Sequence, residues 1–464
     1  MPALRAPGCL APSPRILRLC IISLTTILFF VWYSSNSVAV LSSESYAKVQ
    51  QLQVADSFST ADDLSNDNIL DSPFDGLQDE NVPGSLSTSQ SSPSSRNASR
   101  ILLVSALFPL SKSKSKHSIE DYKSWLRHFL GPITTPIYFY TTPDFAPLIQ
   151  SLRGTGLPLV VNTTYSSPFD IPPLKGLEQT YEEMHDLDRE KFRHSPELYA
   201  IWNAKPFLLS SAVQTLASQD EVYDYAFWND AGSFRSEHPY TTWPDHWTVD
   251  RVWNAGTLFN GKGEEDLLFF PVFDLPPRKV RGWKEDMGPV DHEISEGSFF
   301  GGSPKTIHWW SKIYYAYHNY YLSSGLFVGK DQTLINALLL LFPSRFISVY
   351  FADSEAPQRD FLTHIPFHDY GYRGACGSSN GWYYYQYFMA SPAERARQEE
   401  VWISQEFEEW WMWRWLLRWF VPERWWRRER ACRLAGGENW ENLATRRLGK
   451  GWEPPARRVA VPDS

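Results

Sequence analysis

The sequence predicts an α/β fold: an open, mostly parallel sheet with helices on both faces, preceded by an N-terminal transmembrane helix and followed by a helical C-terminal extension. Three observations carry this. From Arg100 onward, apolar runs of strand length alternate with stretches of helical spacing. One run, residues 223–228, is largely aromatic and stops on Asn229-Asp230-Ala231-Gly232. The chain also begins with an arginine-flanked apolar span.

That span covers residues 19–41, behind a short tail (1–18) holding Arg5, Arg15 and Arg18. It is long enough to cross a hydrocarbon core of about 30 Å. Positive charge before it and Glu44 after it predict a single-pass type II orientation, with the bulk of the chain in the lumen of the Golgi or another secretory-pathway membrane. A cleaved signal peptide, with Ser37-Val38-Ala39 as its cleavage site, is the competing reading. Residues 42–99 hold 15 Ser, many Asp and Asn and no Trp, too little apolar surface to fold, and read as a disordered stem. Asn97 and Asn162 stand in N-glycosylation sequons, as expected of a luminal glycoprotein.

The 464 residues are 43% hydrophobic and 16% aromatic, enough for a large core. The 21 Trp, 23 Tyr and 28 Phe suit core packing and equally suit stacking on sugars. A net charge of −9 argues against nucleic acid as a partner. Four cysteines do not make a disulfide scaffold.

Folded sequence starts at residue 100, and a first domain is expected over 100–370. The run 100–110 suits a central strand. Residues 119–130 carry helical spacing of Tyr122, Trp125, Leu126 and Phe129. Strands follow at 136–141 and 157–161. Residues 195–213 read as a helix broken or restarted near Pro206. The strand ending at Asp230 comes next, then a surface helix over 243–253, a strand at 267–273, a long aromatic helix at 304–321, a buried helix after Asp331 and a strand at 346–351. Residues 371–464 form a Trp/Arg-rich C-terminal extension, read as a helix capping the core or as an interfacial amphipathic helix.

The stretch around Asp230 organises the reading. A carboxylate at the carboxyl end of a buried strand sits where ligands bind in α/β sheets. Gly232 lets backbone approach closely. The alternative is a plain turn, with Asp230 bonding the turn backbone. Asp331 opens a helix, where it is either a dipole-favoured first-turn residue or a group facing an acceptor hydroxyl. Lys205 is either a phosphate donor or a solvated helix lysine.

Four pieces stand in order: Trp202-Asn203-Ala204-Lys205, Trp228-Asn229-Asp230-Ala231-Gly232, the glycine-rich 297–302, and Lys330-Asp331-Gln332 with Asn336. Together they resemble GT-A-fold nucleotide-sugar glycosyltransferases of the HtrL/YibB-like group. The Asp-Gln…Asn pattern is similar to that of glycogenin-like transferases. The resemblance covers residues 100–370. It implies a membrane-anchored luminal hexosyl- or similar transferase, moving sugar from a nucleotide-sugar donor to a glycan or glycoprotein acceptor. It implies catalytic roles for Asp331 and Gln332, donor binding by Lys205, Trp228, Asp230, Gly301 and Gly302, and a divalent cation (Mn or Mg) on Asp230 and His368. One departure stands out: Gly232 replaces the second acid of the Asp-x-Asp motif. A non-catalytic carbohydrate-binding or scaffolding protein on the same fold is the alternative.

Overall fold

A computed structural model of the protein describes residues 98–110, 117–351, 382–409, 434 and 436–461. The expected span 19–41, nearly all of the stem and His368 lie outside these residues. Among the described residues, no helix is long and apolar enough to cross a membrane.

Eight strands form one mixed sheet: β1 (Ile101–Leu107), β2 (Ile137–Thr141), β3 (Leu159–Asn162), β4 (Tyr225–Asn229), β5 (Leu268–Val272), β6 (Phe299–Gly302), β7 (Phe346–Tyr350) and β8 (Glu438–Asn439). Their order is β3-β2-β1-β4-β6-β5-β7-β8. β1, β2, β3 and β4 are mutually parallel, as are β5 and β7. β6 runs antiparallel to both of its neighbours, β4 and β5.

The main helices are α1 (Ile119–Leu130), α2 (Ala146–Arg153), α3 (Glu178–His185), α4 (Pro196–Ala217), α5 (His246–Asn260), α6 (Pro304–Ser323), α7 (Asp331–Leu341), α8 (Tyr385–Phe388), α9 (Pro392–Glu409) and α10 (Trp440–Leu448). They cover both faces of the sheet. On one face Leu102, Val104 and Ala106 meet residues of α4, α6, α7 and α10. On the other, Ile101, Leu103 and Leu107 meet residues of α1, α5 and α8. β1 is buried on both faces, which is why its sequence is a continuous apolar run and not an alternating one.

α4 departs from the sequence expectation, because it runs unbroken through Pro206. Proline removes a backbone donor and crowds the preceding turn. Here the Tyr315 hydroxyl of α6 enters the helix beside it. That hydroxyl donates to the Asn203 carbonyl at 2.7 Å and accepts from the Phe207 N–H at 3.3 Å. A side chain from a neighbouring helix thus spans the rung that the distorted turn leaves weak.

The end of the chain belongs to the same body. Trp440, Leu443, Leu448 and Trp452 enter the core beside α6 and α7. The last described residues are tied down by buried Glu285, which accepts from the Arg458 and Val459 N–H groups at 2.8 and 3.3 Å and from the Tyr317 hydroxyl at 2.7 Å.

Candidate functional site

From β1 the chain steps outward to β2 and β3, then returns to place β4 on the other side of β1. The boundary between β1 and β4 is therefore the point where strand order reverses. In open α/β sheets the crevice beyond the carboxyl ends of the strands at such a point is the usual ligand site. Asp230 is the first residue past β4.

Asp230 is held on several sides. Its N–H donates to the Ser298 carbonyl at 2.9 Å. The Trp228 indole donates to Oδ1 at 2.6 Å. The Lys205 ammonium lies 3.1 Å from Oδ1 and 3.2 Å from Oδ2. Trp228 is buried within the strand and acts on Asp230 alone among these groups, so it positions the carboxylate. About a third of the Asp230 side chain, 31%, is exposed to solvent. The carboxylate is nonetheless set deep among protein atoms. That desolvation raises its pKa, and the Lys205 charge and the Trp228 bond pull against it.

Lys205 projects from α4 and is buried, so the solvated-lysine alternative does not hold. Its ammonium also meets the Gly297 carbonyl at 3.0 Å and Asp331 Oδ2 at 3.0 Å. The Asp331 contact is an ion pair without hydrogen-bond alignment. Burial alone lowers a lysine pKa. The two carboxylates outweigh that and raise it, so the ammonium is permanently charged.

Asp331 opens α7, and its Oδ1 accepts from the Gln332 N–H at 2.9 Å. Sequence reading separated Lys205, Asp230 and Asp331; the fold gathers them into one ion triad. Gln332 does different work. Its amide donates to the Ser295 carbonyl at 2.6 Å and to Glu293 at 3.0 Å. Asn336 donates to the Val290 and His292 carbonyls at 3.0 and 2.7 Å and accepts from Ser295. Together they pin residues 290–298, the segment that presents the Gly297 carbonyl to Lys205 and the Ser298 carbonyl to Asp230. Asn203 adds a brace from α4, donating to the Val328 carbonyl at 3.0 Å just ahead of α7.

Gly301 and Gly302 are not at the crevice. β6 is antiparallel, so Phe299 pairs with Asn229 at the carboxyl end of β4, and the glycines lie deeper, opposite Phe227 and Ala226. A Cβ on Gly301 would stand 2.1 Å from the Ala226 carbonyl oxygen, and one on Gly302 would stand 2.6 Å from Thr306. Close packing inside the sheet, not a sugar pocket, accounts for this pair.

Two residues that the sequence did not single out belong here. Glu296 is fully buried. Its Oε1 accepts from the Ser298 hydroxyl at 2.5 Å, and that hydroxyl is 3.1 Å from the Tyr385 hydroxyl. Its Oε2 has no hydrogen-bond partner. Burial pushes its pKa well above the ordinary value, the Ser298 bond pulls against that, and the nearby Asp230 carboxylate adds to the rise. Arg235, exposed on the loop after Asp230, lies over two rings. Its guanidinium carbon is 4.5 Å from the Trp125 ring centre and 5.1 Å from that of Tyr383. One N–H donates to the Gly232 carbonyl at 3.2 Å. The signals available in sequence were faint: an acid between two serines in 294–300, and a cation just after an acidic turn.

Among the described residues, the donor set around Asp230 does not fit a divalent cation. Asp230 uses its oxygens on an indole N–H and an ammonium, and a cation placed on it would face that ammonium. Asp331 shares the same lysine. At position 232 a Cβ would stand 3.0 Å from the Trp125 ring and 3.2 Å from the Tyr122 ring, so a second acid of an Asp-x-Asp motif would have to push these rings aside. Among the described residues no cluster of three His, Cys, Asp or Glu side chains could hold a metal ion.

No family model matches the chain, and no curated protein matches it. Among solved structures, the chain is similar to core-mannan synthase A from Aspergillus fumigatus in its Mn/GDP form, with a TM-score of 0.32 and 12% identity over 56% of this chain and 74% of that one. The fold and chemistry described here stand on the strand order and the side chains themselves.

Proposed function

We propose that the protein is a nucleotide-sugar-dependent glycosyltransferase of a secretory-pathway membrane, transferring a sugar to a glycan or glycoprotein acceptor. One observation carries the reading: a partly open carboxylate, Asp230, fixed by Trp228 and Lys205 at the strand-order switch point of an α/β sheet. In such a reaction the bond from the anomeric carbon to the diphosphate breaks, and the diphosphate leaves with the electron pair. The acceptor oxygen bonds to that carbon, and its proton passes to the departing diphosphate, directly or through water. Asp331 is spent on Lys205, so its role in this reading is to orient the ammonium, with Gln332 holding the 290–298 segment in place. The membrane assignment rests on residues 19–41 and the stem after them.

A second reading, a carbohydrate-binding protein without turnover, is favoured by one feature, the ion triad that already neutralises Lys205 and Asp331. The full-length chain in detergent, incubated with UDP- and GDP-sugars, separates the two. Release of nucleotide that depends on Asp230 supports the transferase. Binding without release supports the second reading. Protease protection of intact vesicles tests the topology: digestion of the C-terminal bulk from the cytosolic side overturns it.

A further inference from the structure

We propose that the crevice takes a nucleotide diphosphate without a divalent cation, with the Arg235 guanidinium meeting the diphosphate and Asp230 accepting a ribose or sugar hydroxyl. This rests on the transferase reading and adds to it the mode of anion recognition.

Count the acceptor positions on Asp230 first. A carboxylate offers about four lone-pair sites. Trp228 takes one on Oδ1, and the Lys205 ammonium lies against both oxygens. What remains open suits one hydroxyl donor. It does not suit an inner-sphere metal, which would also stand close to a permanent ammonium. Lys205 itself is buried under Asp230, Asp331 and Gly297, so it cannot reach a ligand.

A diphosphate in the crevice still needs positive charge, and Arg235 can supply it. It lies five residues past Asp230 and exposed to solvent, while its Nε–H is anchored to the Gly232 carbonyl. It forms no ion pair among the described residues. Its guanidinium carbon lies within about 5 Å of both the Trp125 and the Tyr383 ring centres, at 4.5 and 5.1 Å. With only Nε engaged, its outer N–H donors have no protein acceptor among the described residues, and planar, bidentate recognition of phosphate is what arginine does best. The same Trp125 ring that carries Arg235 also closes the space over Gly232. One ring thus both crowds position 232 and carries the Arg235 cation.

The test is calorimetry on the full-length chain in detergent, with UDP, GDP, uridine and guanosine as probes, in EDTA and then in Mn²⁺. The expected result is binding of at least one diphosphate in EDTA with no gain from Mn²⁺. Arg235→Gln should weaken that diphosphate at least tenfold and leave the matching nucleoside unchanged, with Arg235→Lys in between. Mn²⁺ alone should show no site that Asp230→Asn removes. Diphosphate bound only with Mn²⁺, an Asp230-dependent Mn²⁺ site, or full affinity in Arg235→Gln each overturns the inference while leaving the transferase reading in place. No binding of any diphosphate in either condition overturns both. Arg235 is exposed, so loss of fold in its variants is not expected, and their melting temperatures check this.

Discussion

The Tyr315 hydroxyl and the Asn203 carbonyl, 2.7 Å apart, join α6 to α4 at the turn that Pro206 distorts. The contact lies two residues before Lys205, so it links helix continuity to the placement of the ammonium. Asn203 is tied again through its side chain, which accepts from the Tyr314 hydroxyl at 2.6 Å.

Tyr315→Phe removes the bridge and leaves the Asn203 carbonyl and Phe207 N–H short of a partner. Leaving buried polar groups unpaired costs about 1–3 kcal/mol. Thermal denaturation should show a loss of that size. An unchanged melting temperature would mean that water or a direct helical bond serves the turn as well.

Asp230→Asn is expected to divide function from stability. The variant removes a charge at the crevice but leaves Lys205 its contacts with Asp331 and Gly297. Loss of a preorganised electrostatic group costs about 10²–10³ in rate, while the stability change should stay near about 1 kcal/mol because the side chain is partly open. Nucleotide release and melting temperature are measured on the same sample. A large stability loss with unaltered release would make Asp230 a turn residue.

The strands were legible because burial on both faces writes itself as apolar runs, as in β1 and β4. Asp230 was legible because its run ends abruptly in polar residues. The rest depended on contacts far apart in sequence. Tyr315 stands 112 positions from the carbonyl it bridges, so Pro206 read as a break. Lys205 read either as a phosphate donor or as a solvated helix lysine; that it is buried between Asp230, 25 positions away, and Asp331 on another helix shows only in the fold. Gly301 and Gly302 suggested a ligand, since a glycine needed for sheet packing looks the same in sequence as one needed for a pocket. β8 has two polar residues, Glu438 and Asn439, and no strand pattern to read. Glu296 drew no reading from the sequence, because only the fold reveals that its carboxyl is buried.

Buried histidines set the acid limb of stability. Desolvation lowers the His318 pKa to about 4, with the bond to Asn319 opposing. Its Nε2 lies 2.7 Å from the Tyr181 hydroxyl and its Nδ1 lies 2.9 Å from Asn319, a pairing that suits the neutral ring. His238 is likewise lowered to about 4 by desolvation. The unfolded chain takes up these protons near pH 6.5 and the folded chain does not. Their contribution is therefore full above about pH 6.5 and is lost as pH falls toward about 4. Melting temperature should drop between pH 7 and pH 5. His318→Gln, which can keep both hydrogen bonds, should flatten that slope, and His238 should account for part of what remains. An unaltered slope in His318→Gln would show that His318 does not carry it.

Glu296 should act with the opposite sign. Its folded pKa is raised by burial, and the unfolded chain ionises near 4.5. Above that value the unfolded state releases a proton that the folded state retains, so the native state loses stability as pH rises until the buried acid itself ionises. Glu296→Gln keeps an acceptor for the Ser298 hydroxyl and has no proton to lose. The variant should therefore gain on the parent as pH rises from 5 to 8, by up to about 1.4 kcal/mol per pH unit while the parent acid stays neutral. Urea denaturation at pH 5, 6.5 and 8 measures the gap directly. If the gap is constant, Glu296 is already ionised in the folded protein. The buried site behind Asp230 would then hold a second negative charge, with the Ser298 hydroxyl donating to it.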